Sequence, residues 1–210
     1  MEKNKRDRIL DGMQNLINSR DVQLITVDEI AKEAGIGKGS IYYYFSSKSE
    51  ILKALIARSY GTAVEEGRKL AQNDDLDVFT KLEVLFCTCL TASGELRRGE
   101  AESSLSALQE SALIHQEFVS FTIRELLPIL SQVLDQGHKE GQLYCPDTES
   151  TARIILSILA VHLDNHLVPA SPEEIRRLLK TFAWMQEVTM KLPQGKLDFL
   201  YREQPDDVAK

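Results

Sequence analysis

Residues 38–48 read Lys-Gly-Ser-Ile-Tyr-Tyr-Tyr-Phe-Ser-Ser-Lys. A cation, a residue without a side chain, a hydroxyl and three successive phenols suit recognition of a nucleic acid. Three consecutive tyrosines on a short helix cannot all be buried, because successive side chains point in different directions around its axis. Their hydroxyls can reach phosphates while their rings lie against sugars or thymine methyls. The competing reading is a helical hairpin with a chance aromatic cluster. Other chemistry is sparse. His162 and His166 are four apart, a spacing that can bind a metal. No Cys or carboxylate lies at a matching spacing, so interface or ring-packing histidines are the better reading and no metal is expected. His115 reads as a polar handle in a pocket or as a solvated residue near a helix start. There is no Gly-rich phosphate loop, nucleophile elbow, His-Glu-x-x-His or Cys-x-x-Cys, and no inward Glu-x-x-His pair. The expectation is a protein that is not an enzyme and carries no cofactor.

The elements that hold residues 38–48 are written in the surrounding pattern. Ile9, Leu10, Met13, Leu16 and Ile17 recur at helical spacing and mark a first helix. Thr26-Val27-Asp28-Glu29 is a capping box that opens a short helix to Ala34, and Gly35 stops it. A second short helix follows from Lys38 to Phe45. Ser47-Lys48-Ser49-Glu50 is a further capping box and opens a longer helix with Ile51, Leu52, Leu55 and Ile56 inside. Small Ala31, the turn at Gly35 and apolar Ile41 supply the packing of a helix-turn-helix over residues 26–45.

The remainder also has a helical period. Val78, Phe79, Leu82, Leu85, Phe86, Cys89 and Leu90 form one stripe, and a break is expected over 94–101. A stripe from Ile114 through Phe118, Phe121, Leu126, Leu130 and Leu134 follows, with Pro128 as a kink or a helix start and Gly137 and Gly141 as its close. Residues 148–167 are apolar almost all round, which implies burial on more than one side. Ser171-Pro172-Glu173-Glu174 starts a last helix reaching about Leu192, with a loose tail after Gly195. The expected fold is all-α: a three-helix helix-turn-helix domain (1–63) fused by a shared helix to a larger bundle (64–210), about nine helices in total.

Charge divides the same way. Residues 1–60 carry a net +2 and the other 150 a net -9, within an overall -7. A small basic footprint at one end suffices for DNA, whereas the overall acidity argues against a general nucleic-acid coat. The three cysteines read as reduced thiols of a cytoplasmic protein. No apolar segment follows the charged start, and the longest apolar run, Ile154 to Val161, is broken by Ser157 and too short for a bilayer. No membrane association is expected.

Residues Thr26, Ile30-Ala31, Ala34-Gly35-Ile36, Lys38-Gly39-Ser40-Ile41-Tyr42, Tyr44-Phe45, Lys48 and Leu52, with Arg8-Ile9-Leu10 upstream, resemble the TetR (tetracycline repressor) family of bacterial regulators. The resemblance covers about the first 60 residues and departs at Met13 and Asp21, where the family has Ala and Gly. It implies a homodimeric repressor that binds a palindromic double-stranded operator. Lys38, Gly39 and Ser40 would face base edges, Tyr42 and Tyr43 phosphates or bases, and Thr26 and Lys48 phosphates; Tyr44 would be less direct, and Ile41 and Phe45 core. The resemblance also implies dimerisation and small-molecule binding by the body. Ile154, Ile158, Val161, His162, Trp184 and Val188 are the candidate dimer surface. Tyr60, Phe86, Phe118 and Phe121 are candidates to line a site for an apolar or aromatic effector, or else plain core. A ligand-independent regulator, or a helical protein-interaction module, is the alternative for the body.

Overall fold

A computed structural model describes residues 4–19, 22–98, 112–162 and 169–202, with side chains for all of these but 89–98 and 112–115. Expectations for Asp21, Leu163, His166 and Leu167, and for the side chains of Cys89, Leu90, Ile114 and His115, lie outside the described residues. Eight α-helices occur among them, and no strand. The chain divides into two compact units, Met1–Glu65 with Gly94–Thr122, and Glu66–Ser93 with Ile123–Lys210.

The first unit begins with α1 (Lys5–Ile17), capped by Asn4, whose Oδ1 accepts the Asp7 amide at 2.8 Å. Its buried residues are the expected stripe together with Gly12. A Cβ at Gly12 would lie 3.0 Å from the Ala34 amide nitrogen, so its absence lets α1 lie against α2 (Val27–Glu33). A 3-10 turn at Val22–Leu24 precedes α2; α3 (Lys38–Tyr44) and α4 (Lys48–Ala71) follow. Ile51, Leu52, Leu55 and Ile56 of α4 are buried. Arg58 pairs with Asp11 at 2.9 Å and ties α4 to α1.

The second unit holds parts of α5 (Val78–Arg98) and α6 (Ala112–Lys139), and all of α7 (Thr148–His162) and α8 (Pro172–Thr189). Four expectations need correction. First, α5 continues through Gly94 to Arg98, since Glu95, Leu96, Arg97 and Arg98 are helix formers and one internal glycine costs only about 1 kcal/mol. Second, Gly137 lies inside α6 rather than closing it; Pro128 is also inside, so of the two expectations for it the helix start does not hold. Gly141, at φ +71°, follows the helix end. Third, α8 ends at Thr189. Lys191 adopts φ +56°, and the Leu192 amide returns to the Glu187 carbonyl at 2.8 Å, the Schellman arrangement that stops a helix. Fourth, the described part of the tail, as far as Arg202, is not loose: Leu197, Phe199 and Leu200 are buried against Phe86, Leu179, Phe182 and Ala183. The Glu187 carboxylate anchors this segment by accepting the Leu197 amide at 2.9 Å. Three apolar side chains in four residues have more to gain from that groove than from water.

Candidate nucleic-acid interface

The helix-turn-helix is built from hydrogen bonds within a few residues. Thr26 Oγ1 accepts the Glu29 amide at 3.3 Å, and Glu29 Oε2 accepts the Thr26 amide at 2.8 Å. The Thr26 hydroxyl also donates to Glu29 at 2.9 Å. Both the hydroxyl and the amide of Thr26 are therefore engaged in the capping box. At the other end of α2 the Ile36 amide reaches the Ala31 carbonyl at 2.9 Å, with Gly35 at φ +63° between them. Arg8 donates from Nε to the Ala34 carbonyl and from Nη2 to the Gly35 carbonyl, at 3.1 and 2.9 Å. A Cβ on Gly35 would sit 2.9 Å from Arg8 Nη2, so both the turn and the arginine require glycine there.

α3 separates into two faces. Ile41 and, just beyond it, Phe45 are buried with Ile30 and Ala31, as expected of core. Tyr42 and Tyr43 are exposed, Tyr43 at 83%, and Tyr44 only marginally so. The Tyr43 and Tyr44 rings meet edge to face at 5.0 Å between centroids. A Cβ on Gly39 would meet nothing within 4 Å. The protein's own packing does not demand glycine there, and the bare backbone leaves room for a partner. Lys38 Nζ donates to Asp28 Oδ2 at 2.8 Å, with both side chains well exposed. The Asp28 hydrogen bond, and then its charge, raise the Lys38 ammonium above the ordinary lysine range.

Lys48 is engaged within the chain. Its ammonium donates to the carbonyls of Val22, Gln23 and Ile25 at 2.9, 3.1 and 2.7 Å. All three N–H groups are thus aimed at the turn before α2, which the side chain braces. What α4 offers outward is its first-turn main chain. Ser47 Oγ accepts the Glu50 amide at 3.2 Å, while Glu50 accepts the amide of Ser46, not of Ser47, at 2.5 Å. Chiefly through that backbone hydrogen bond, Glu50 is held below the usual carboxylate range.

Sequence reasoning missed Arg8 as a helix-end brace, Asp28 as the partner of Lys38, and Gly12 as a contact glycine. Gly12 carried a signal, being a glycine inside a strongly amphipathic helix. The other two depend on the turn that brings distant residues together.

The remaining candidates fall in separate units. In the first, Tyr60 packs against Phe118 and Phe121 at 5.0 and 6.3 Å between centroids. Burial there pushes the Tyr60 phenol up to about 12. Phe86 belongs to the second unit's core, in edge contact with Phe199 at 6.0 Å. Ile154, Trp184, Met185 and Val188 are exposed apolar residues of α7 and α8. Ile158, Val161 and His162 are half-buried. Among the described residues no three His, Cys, Asp or Glu come together as a metal site, and no helix is long and apolar enough to cross a membrane.

The profile of the bacterial regulatory proteins of the TetR family matches residues 9–55, the span from α1 to the first turns of α4. A regulator of Pseudomonas putida, the HTH-type transcriptional regulator SrpR, is 29% identical over 140 residues, 66% of this chain and 63% of SrpR. Residues 9–55 carry the N-terminal domain of the TetR family. A second relative is the HTH-type transcriptional regulator EthR of Mycobacterium tuberculosis, 30% identical over 134 residues, 61% of each protein. The matched chain thus spans less than two thirds of the length of either SrpR or EthR. Among solved structures, SmeT, the repressor of the Stenotrophomonas maltophilia multidrug efflux pump SmeDEF, has the same fold. It superimposes with a TM-score of 0.61 at 22% identity, over 91% of this chain and 92% of SmeT. SmeT in complex with triclosan matches with the same TM-score at 21% identity, over 92% and 94% of the two chains.

Proposed function

We propose that this protein is a sequence-specific DNA-binding transcriptional regulator of the TetR family. In this reading it is a cytoplasmic repressor that binds a palindromic operator as a homodimer and is released by a small molecule. The observation that carries the reading is α3. Its apolar residues Ile41 and Phe45 are buried while Tyr42 and Tyr43 stand in water beside Lys38, which is exposed and ion-paired with Asp28. Lys38, Gly39 and Ser40 form the first turn of α3 and would meet base edges, with Tyr42 and Tyr43 flanking them on phosphates, sugars or thymine methyls. The main chain of the first turn of α2, just after Thr26, and at Lys48 would meet phosphates on either side, where amides at a helix start favour an anion.

A helix of 7 residues reads few base pairs, so specificity asks for two copies. Exposed Ile154, Trp184, Met185 and Val188 offer an apolar surface for the second copy, with Ile158, Val161 and His162 beside Ile154 on the same helix. The effector reading rests on Tyr60, Phe118 and Phe121, three rings in contact with the phenol in an apolar setting, which suits an apolar or aromatic molecule. Phe86 supports it less, being packed into the core of the other unit. Triclosan, bound by SmeT, is a probe of that class. The family is one of regulators rather than enzymes, and no catalytic constellation is proposed. A ligand-independent regulator is the second reading, since the same three rings also serve as core.

The test is selection of duplexes from a random pool by the full chain. Enrichment of a two-fold-symmetric sequence is expected, with Tyr43→Ala losing it while remaining folded. Recovery of unenriched DNA, or of no DNA, would refute the proposal. Titration of the selected complex with triclosan and other aromatic compounds separates the two readings of the body.

A further inference from the structure

We propose, resting on the DNA-binding reading above, that Asp28 is a specificity-determining residue. Its carboxylate keeps the Lys38 ammonium at the base-reading edge of α3 and penalises complexes in which that lysine holds only a phosphate. The geometry is made by the turn. Asp28 is in the first turn of α2 and Lys38 begins α3, ten residues later, yet Nζ and Oδ2 are 2.8 Å apart. The side chains are 52% and 65% exposed for Lys38 and Asp28 respectively. Exposed ion pairs add little to stability, so holding the fold together is a poor explanation for this one.

The pair matters because of what surrounds it. Lys38 is the only charged residue from Ile36 to Ser47, so Asp28 cancels the one formal charge on the exposed helix. A phosphate attracts any nearby lysine whatever the sequence. To bind one, Lys38 must leave Asp28 and expose that carboxylate to the DNA's negative charge. A base edge makes a different demand. An ammonium has three donors, so Lys38 can keep one on Asp28 and direct the others to acceptors in the groove. Asp28 thus costs the non-specific complex a partner that the specific complex retains.

Asp28→Asn keeps the shape and an acceptor oxygen while removing the charge. The full chain and this variant are titrated with the duplex enriched from the random pool and with a scrambled duplex of equal length, over a range of salt. For the scrambled duplex the variant is expected to bind about tenfold tighter at low salt, with log K against log salt steeper by about 0.9 per engaged protomer, the value for one added phosphate contact. Binding to the enriched duplex should change much less, so the ratio of the two affinities falls. Glu33→Gln, which removes a carboxylate hydrogen-bonded to Asn15 instead, controls for loss of negative charge and should leave the slope unchanged. An unchanged slope and ratio in Asp28→Asn, or equal tightening on both duplexes, overturns the role of Asp28 while the DNA-binding reading stands. Wild type that discriminates no duplex overturns both.

Discussion

Replacing Lys48 by Met keeps the length of the side chain and removes its ammonium. Three carbonyls then lose their donor, those of Val22, Gln23 and Ile25. The bond to Gln23 is exposed, and water will replace it. The bonds to Val22 and Ile25 are part-buried and are the ones that count. Hydrogen bonds to charged groups contribute about 1.5–3 kcal/mol each, and partial access of water discounts the pair to about 2–4 kcal/mol in total. Lys48→Arg should recover little, because a planar guanidinium fork does not match three carbonyls converging on one point. The assay is denaturant unfolding, combined with amide exchange across residues 22–25. The midpoint should fall and exchange there should rise, while protein that remains folded keeps the salt slope of its DNA binding. A phosphate-binding Lys48 gives the opposite pattern, with unchanged stability and a slope lower by about 0.9. That result would refute the brace.

Gly12→Ala should destabilise by about 1–3 kcal/mol despite its better helix propensity, because the new methyl meets backbone of α2; thermal unfolding reads it. Phe199→Ala should lower stability by about 3–5 kcal/mol, the cost of deleting a buried aromatic ring, whereas a loose tail would give no change in calorimetry. The phenol of Tyr60 titrates at about 12 in the folded chain against about 10 unfolded. Its contribution to stability is therefore complete below pH 10 and is lost as pH rises to 12, and Tyr60→Phe should flatten that loss in unfolding measured against pH. The Glu174 carboxyl is held low mainly by the Ser171 amide, so its contribution is present above the ordinary carboxylate range and fades as pH falls through its depressed value. Glu174→Gln should reduce that acid-side slope.

Local chemistry was legible in the sequence and tertiary chemistry was not. The capping boxes at Thr26 and Ser171 each lie within four residues and form as read. The buried stripe of α1 and the two faces of α3 follow from period alone. At Ser47 the box half formed, because Glu50 could reach an amide one residue earlier. The bonds of Lys48 could not be read because its acceptors lie 23 to 26 residues away, in and just after a 3-10 turn without a sequence pattern of its own. The Asp28–Lys38 pair needed the turn at Gly35 before it could be seen. Leu197, Phe199 and Leu200 show no helical period, and the groove that buries them comes from α5 and α8. Lys81 is likewise buried through tertiary bonds, its ammonium donating to the Ala71 carbonyl and to Gln136 at 2.9 and 2.6 Å.

The claim that the exposed face of α3 is the DNA-reading surface is tested most directly by amide hydrogen exchange of the full chain, free and saturated with the duplex it selects. Strong protection should appear over Lys38–Tyr44, with weaker protection at the starts of α2 and α4, and little change in the core of the second unit around Phe182 and Phe199. Protection centred on α7 and α8, with residues 38–44 unchanged, would contradict it.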